Sequence, residues 1–334
     1  MSRTGVEAKP MWRSLPPVVR RRVAEELGSE VVRAPRVWGG YGPSPTFRLT
    51  LANGQRAFFK GCGPHDSVFL REAVQTEKRV YTELERFIAP WAPRLLGSLH
   101  EGEWRALLLE DVGPKSAPPW TPSSARRVMS AYAGFHQASL GADLPAWVPR
   151  FADQDALVTW RQVIEETDDL REIAALTGSQ SGDALRWLRQ VGPLFSRLTA
   201  GAADLPSPHA LLHFDTRSDN LRLQDGRLRL FDWPAVEVGP IEIDAVALAQ
   251  TITLEGGPQP EQLLAWYGCE LRPDAVDVAL AWVIGFFALR AWQPEIPGLP
   301  RLRRFQRQQL ATLLDWSARR FHLPTPDWTT TLAR

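Results

Sequence analysis

The sequence predicts an α+β fold, with antiparallel strands in its first third and mostly helices afterwards. Two hairpins and one amphipathic helix carry that reading. Thr46–Leu51 and Arg56–Lys60 flank Asn53-Gly54, and Leu221–Leu223 and Arg227–Asp232 flank Asp225-Gly226. Asn-Gly and Asp-Gly between apolar alternating runs are strong two-strand turn signals. From Ser67 to Ile88, apolar residues recur at Leu70, Ala73, Val74, Val80, Tyr81, Leu84 and Phe87, which is helical spacing.

The chain has 334 residues, enough for two to three average domains or one two-part enzyme. Its formal net charge is +1, which argues against a general binder of nucleic acid or other polyanions. Cys62 and Cys269 lie far apart and form neither a disulfide framework nor a CxxC metal site, as expected of a reducing, cytoplasmic setting. The N-terminus shows no signal-peptide apolar core. The longest apolar run, Val278 to Leu289, is too short to span a bilayer and predicts a buried helix rather than a membrane segment. Lysine occurs only at 9, 60, 78 and 115 among the 39 basic residues, so each lysine is worth placing.

In chain order, the basic residues through Arg22 predict a frayed lead-in or a surface helix, within a lead-in of residues 1–30. Trp38 to Ser44 is a glycine-rich turn containing Gly39, Gly40 and Gly42. It serves either as a flap whose N–H groups close over phosphates or as an ordinary loop, and Pro43 and Pro45 remove two donors. Lys60 ends the second strand of the first hairpin. Glu77 falls on the apolar stripe of the following helix, where an acid needs a cationic partner or a cleft edge; Glu72 lies toward the polar face and is the second choice. Ala106–Glu110 reads as a buried strand ending in a turn at Asp111-Val112-Gly113. Thr121-Pro122 opens a helix running toward Leu140 and carrying His136, which is given a supporting role. Glu165, Glu166, Asp168 and Asp169 form the most acidic run, read either as a solvated helix face or as a site for a cationic acceptor. Of 14 tryptophans, Trp160, Trp187, Trp266, Trp282 and Trp292 are read as core at helical spacing, with an acceptor pocket as the other option.

The densest chemistry lies in His213–Trp233, HFDTRSDNLRLQDGRLRLFDW. Asp215 and Asn220 precede a hairpin, and Asp232 follows it. Phosphoryl transfer by the kinase route uses these parts: one carboxylate meets the acceptor hydroxyl, and an amide oxygen and a second carboxylate hold Mg²⁺. Leu228, Leu230 and Asp232 share a strand face by alternation, which sets a carboxylate after two inward apolar residues. No GxSxG elbow, HExxH site or Rossmann fingerprint competes.

This segment resembles the aminoglycoside phosphotransferase family of small-molecule kinases, where the loop usually reads H-G-D-x-x-x-x-N and the metal site D-W. Phe214 stands where the family has a small residue, and Pro234 follows Trp233. Gly239 to Leu248 is similar to the family's G-x-x-x-x-D-L-A, with Asp244 capping a helix and bracing the catalytic loop. The resemblance implies a protein-kinase-like bilobal fold, with a small antiparallel-sheet N-lobe (31–112) and a larger, mostly helical C-lobe (113–334). It implies ATP or GTP and Mg²⁺ as cofactors. Lys60 and Glu77 pair to position the phosphates, Glu110 and Val112 lie at the base-binding hinge, Asn220 and Asp232 are metal ligands and Asp215 is the catalytic base. The acceptor is then a small-molecule hydroxyl, on an aminoglycoside-like antibiotic or on an amino alcohol, sugar or other metabolite. Two rivals are a non-catalytic nucleotide-binding module and a protein kinase. The intact Lys, Glu, Asp, Asn, Asp set opposes the first. The second lacks an A-P-E segment and room for an activation loop before Asp244.

Overall fold

The computed structural model describes residues 9–38, 44–115, 117–153, 160, 163, 169–202, 205 and 209–334. It divides into two compact units. The first comprises Met1–Ser116, Asp219–Ala235 and Pro297–Pro300, and the second Ala117–Ser218, Val236–Ile296 and Arg301–Arg334. The units interleave along the chain.

The first unit is built on a five-stranded antiparallel sheet of β1 (Val31–Arg33), β2 (Thr46–Leu51), β3 (Arg56–Cys62), β4 (Leu95–Glu101) and β5 (Trp104–Glu110), in the order β1-β2-β3-β5-β4. The Asn53-Gly54 turn joins β2 to β3, and Gly54 takes the positive φ of 83° that such a turn asks of it. Strand alternation sorts the side chains by face. Phe47, Leu49, Leu51, Ala57, Phe59, Ala106 and Leu108 are buried on one side. Helix α1 (Pro17–Glu26) covers that side with Val19 and Val23, and Trp12 sets its ring edge-on to Phe47 and Phe59 at 5.3 and 5.6 Å. A fully buried valine contributes about 1.5 to 3 kcal/mol. The N-terminal segment expected as a frayed or surface lead-in is therefore part of the core from Trp12 onward.

Helix α2 (Val68–Glu83) starts where the Ser67 hydroxyl accepts the Leu70 N–H, and the short α3 (Glu85–Ile88) follows it. Its buried stripe is Val74, Glu77, Val80 and Tyr81, so the one acid in that stripe is inside the unit. The hairpin of β7 (Leu221–Gln224) and β8 (Arg227–Leu230) also belongs here. Asp225 and Gly226 both have positive φ, 49° and 78°, as the tightest hairpin turn requires.

The second unit is mainly helical. Helix α4 (Pro122–Gln137) begins in a capping box between Thr121 and Ser124. It is followed by α5 (Asp169–Ala175), α6 (Ser181–Thr199), α7 (Ile241–Leu254), α8 (Pro260–Ala265), α9 (Pro273–Ala291), α10 (Leu302–Arg320) and α11 (Thr329–Leu332). A two-stranded antiparallel ribbon of β6 (His209–Leu212) and β9 (Glu237–Pro240) carries the chain into and out of the His213–Trp233 segment. Helix α9 is apolar almost all round and buries Val276, Leu280, Ala281 and Ile284. Among the described residues no helix is long and apolar enough to cross a membrane. Trp160, Trp187 and Trp282 are buried in the packing, and Trp266 and Trp292 are half-buried.

Candidate active site

The sheet face opposite α1 is the floor of a cavity of about 230 Å³ in the first unit. Period-two alternation puts Thr46 and Arg48 of β2, Phe58 and Lys60 of β3 and Leu109 of β5 on that face. Cross-strand register aligns Thr46 with Lys60, and Arg48 with Phe58. Glu77, Asn220 and Asp232 line the same cavity.

Lys60 joins two carboxylates. Its Nζ lies 2.5 Å from Glu77 Oε2 and 2.5 Å from Asp232 Oδ1. The Glu77 side chain is fully buried, Lys60 is 17% exposed and Asp232 is 33% exposed. Burial opposes the ammonium, but Asp232 and Glu77 outweigh it, and Lys60 is held above its ordinary range. Burial likewise lifts Glu77, against the pull of Lys60 and with repulsion from Asp232. The acid that interrupts the α2 stripe thus meets the lysine of the neighbouring strand.

Asn220 precedes β7 and Asp232 follows β8. The register Leu221 to Leu230 and the Phe231 N–H to Asn220 carbonyl bond at 3.0 Å bring the two ends of the hairpin together. Leu228 and Leu230 are buried as alternation requires. At Asp232 the backbone turns to φ 71°, so the strand pattern stops before the carboxylate. Asp tolerates this left-handed geometry better than most side chains.

Glu110 and Val112 also line the cavity, with Asp111 and Gly113. Asp111 is the structural pin of that segment: it takes Arg48 Nε at 2.7 Å, Arg56 at 2.8 Å and the Gly113 N–H at 3.0 Å. Lys9, Arg48, Asp111 and Arg222 are cavity residues that the sequence reading did not single out. Alternation along β2 and β3 would have placed Arg48 on the face that carries Lys60, opposite Phe58, but nothing local announces the others. Gly39, Gly40 and Gly42 lie outside the described residues, as do Glu165, Glu166 and Asp168. The flanking Trp38 and Ser44 line the cavity, and Asp169 is buried at the start of α5.

Asp215 belongs to the second unit, five positions before Asn220. Its Oδ1 forms an ion pair with Arg217 Nε at 3.1 Å. The loop that carries it is held by Asp244 in the first turn of α7, which accepts the His213 N–H at 2.7 Å and the Phe214 N–H at 3.0 Å. Asp244 is braced in turn by His136 Nε2 at 3.2 Å, and His136 Nδ1 hydrogen-bonds Tyr267. Phe214 has φ 67°, a left-handed backbone where glycine costs nothing. Its ring is seated against Trp282 at 5.4 Å and Phe151 at 6.3 Å.

The donor set suits a magnesium nucleotide. Asn220 and Asp232 offer hard oxygen ligands, and magnesium commonly takes only one or two protein carboxylates beside phosphate. The described residues contain no group of three or more His, Cys, Asp or Glu that would hold a metal by protein ligands alone. In the same cavity, Arg222 Nε is buried and finds no hydrogen-bond acceptor among the described residues.

A small antiparallel-sheet unit and a larger helical one define a protein-kinase-like fold. Residues 33–282 match the model of the phosphotransferase enzyme family, and the chain belongs to that family. No curated protein sequence matches it significantly. Among solved structures it is similar to an aminoglycoside phosphotransferase from Alicyclobacillus acidocaldarius, with TM-score 0.57, 14% identity, and coverage of 93% of this chain and 99% of that one. It is also similar to choline kinase LicA from Streptococcus pneumoniae, with TM-score 0.56, 14% identity, and coverage of 88% and 98%. A third is spectinomycin phosphotransferase APH(9)-Ia in complex with ADP and spectinomycin, with TM-score 0.53, 11% identity, and coverage of 95% and 98%. The protein is thus a phosphotransferase enzyme of a fold shared by kinases of small molecules.

Proposed function

We propose that the chain transfers a phosphoryl group from a magnesium-bound purine nucleotide to a hydroxyl of a small molecule. The observation that carries this reading is Lys60 held between Glu77 and Asp232 in a cavity that Asn220 also lines. The bound nucleotide would supply the phosphoryl group, and its Mg²⁺ the charge that offsets the phosphates. The chain's own part is positioning and electrostatics. Lys60 binds phosphate oxygen, and Glu77 fixes the direction of the ammonium. Asn220 and Asp232 hold the metal. The 110–113 segment, kept rigid by the Asp111 clamp, meets the base. Asp215 receives the proton of the acceptor hydroxyl, Arg217 orients its carboxylate, and Asp244 holds its loop. Residues 31–112 and the 219–235 hairpin then form the nucleotide-binding part.

The acceptor is an aminoglycoside-like antibiotic, an amino alcohol or a sugar. Kinship to the aminoglycoside, spectinomycin and choline enzymes supports that range without choosing within it. Following ADP or GDP release with Mg²⁺ across a panel of such acceptors tests the reading. Acceptor-dependent release that disappears with EDTA is expected. No metal-dependent thermal shift with either ATP or GTP at millimolar concentration would overturn it in favour of a non-catalytic module.

A further inference from the structure

Two of the chain's four lysines line the nucleotide cavity, Lys60 from β3 and Lys9 from the segment ahead of α1. Lys9 is buried, 8% exposed, and its Nζ donates to Thr46 Oγ1 at 2.7 Å. The Thr46 hydroxyl donates in turn to the Val37 carbonyl at 3.0 Å, so its proton is spent there and its oxygen faces the ammonium as an acceptor. Thr46 stands opposite Lys60 in the β2–β3 register and on the same sheet face. Directly opposed residues of an antiparallel pair hold their Cβ atoms about 4.5 to 5.5 Å apart. Lys9 is thus fastened to the side chain next to Lys60. Its backbone is fixed as well. The Lys9 carbonyl accepts Arg36 Nη1 at 3.0 Å, and the Arg36 guanidinium lies 4.8 Å from the ring centre of Trp38, another cavity residue. Three residues on, Trp12 packs against Phe47 and Phe59 on the opposite face of the sheet, which anchors the segment from its other end.

On the reading of this cavity as a nucleotide site, we propose that Lys9 is a second phosphate-binding cation, brought in by the N-terminal segment to hold the nucleotide's phosphates together with Lys60. Lys60 divides its ammonium between Glu77 and Asp232, so its pull on a phosphate is shared with two carboxylates. The contact with Thr46 orients the Lys9 ammonium without cancelling its charge, since a hydroxyl is neutral. Two ammoniums on neighbouring side chains repel one another, and a polyphosphate bound between them turns that cost into attraction. A lysine serves such a ligand as a compact point charge with three donors. The N-terminal segment then has two tasks: Trp12 completes the sheet core, and Lys9 completes the phosphate site.

Calorimetric titration of the full chain and of Lys9→Gln with Mg-ATP and Mg-GTP, at low and at high salt, tests this. Whichever triphosphate the unaltered chain binds should bind Lys9→Gln roughly 10- to 150-fold more weakly, as for one lost hydrogen bond to a charged group. Affinity should also fall less steeply with salt in that variant, because one phosphate-facing charge has gone. Lys9→Arg keeps the charge and should keep the steep salt dependence. Unchanged affinity in Lys9→Gln would overturn the proposal. So would a loss that leaves the salt dependence as steep as before, which would make Lys9 only an anchor of the N-terminal segment. If Lys9→Gln does not fold, Thr46→Val keeps the ammonium and the shape of its neighbour but removes the hydroxyl that aims it. Triphosphate affinity should then drop, and an unchanged value would overturn the proposal. If neither triphosphate binds the unaltered chain, the nucleotide reading itself fails and takes this inference with it.

Discussion

Lys60 stays charged in a place that excludes most water because two carboxylates surround one ammonium. Removing either acid has different consequences. Without Glu77, the fully buried side of the clamp is empty and Lys60 is left to Asp232 alone. A double-mutant cycle of Lys60→Ala and Glu77→Ala, read on nucleotide affinity, should show a coupling of about 0.5 to 3 kcal/mol. Additive losses would separate the pair and redirect attention to Glu72. Asp215 has a different assignment and a different test. Asp215→Asn keeps the shape and loses the proton acceptor, so turnover should fall by at least about 100-fold while calorimetry shows nucleotide affinity nearly unchanged. A near-normal rate on the true acceptor would reject the base role. The Lys60–Glu77 contact was legible in the sequence because the acid interrupts an apolar stripe and lysines are scarce. The Lys60–Asp232 contact was not, since it joins residues 172 positions apart and Asp232 reads locally as a metal ligand only. Arg222 was missed for the same reason: its place in the cavity comes from what surrounds it in space.

Each strand element that turn chemistry marks, β2–β3 and β7–β8, is present with the expected pairing, because Asn-Gly and Asp-Gly set the register locally. Strand β4 and the core role of α1 were illegible, since both depend on packing against a sheet that must exist first. Beside Lys60, Gly61 shows how tightly that sheet is closed. A Cβ there would sit 2.8 Å from the Arg105 carbonyl oxygen and 2.9 Å from Ala106 Cβ, so β3 and β5 would have to part. Gly61→Ala should cost about 1 to 3 kcal/mol in urea unfolding and weaken nucleotide binding by displacing the neighbouring Lys60. Full stability with normal binding would show that the ladder relaxes freely. In the second unit, the carrier loop depends on one carboxylate. Asp244→Ala leaves the His213 and Phe214 N–H groups without their acceptor and should lower stability by about 1 to 3 kcal/mol. Unchanged unfolding would mean that water replaces the carboxylate there.

With a formal net charge of +1, the molecule as a whole has little self-repulsion to make its stability depend on pH. A few buried groups should therefore dominate the profile. Glu237 on β9 is the clearest. It is 5% exposed, and burial followed by the Asp244 charge raises it from 4.5 to about 8. Between those values the folded chain keeps a proton that the unfolded chain has released. Stability should then fall as pH rises through that window and level off above it. Below the lower value both states are protonated and the term vanishes. Each unit of difference is about 1.4 kcal/mol, so even a partial effect is visible against a typical total of about 5 to 15 kcal/mol. Glu77, also raised by burial, acts in the same direction. The expected result is a thermal midpoint that drops from about pH 5 to about pH 8 in the unaltered chain. Glu237→Gln, which cannot ionise, should flatten that slope and have the higher midpoint at the alkaline end. If the slope survives the substitution unchanged, Glu237 is ionised in the folded chain and the pH dependence comes from the Lys60–Glu77–Asp232 clamp instead.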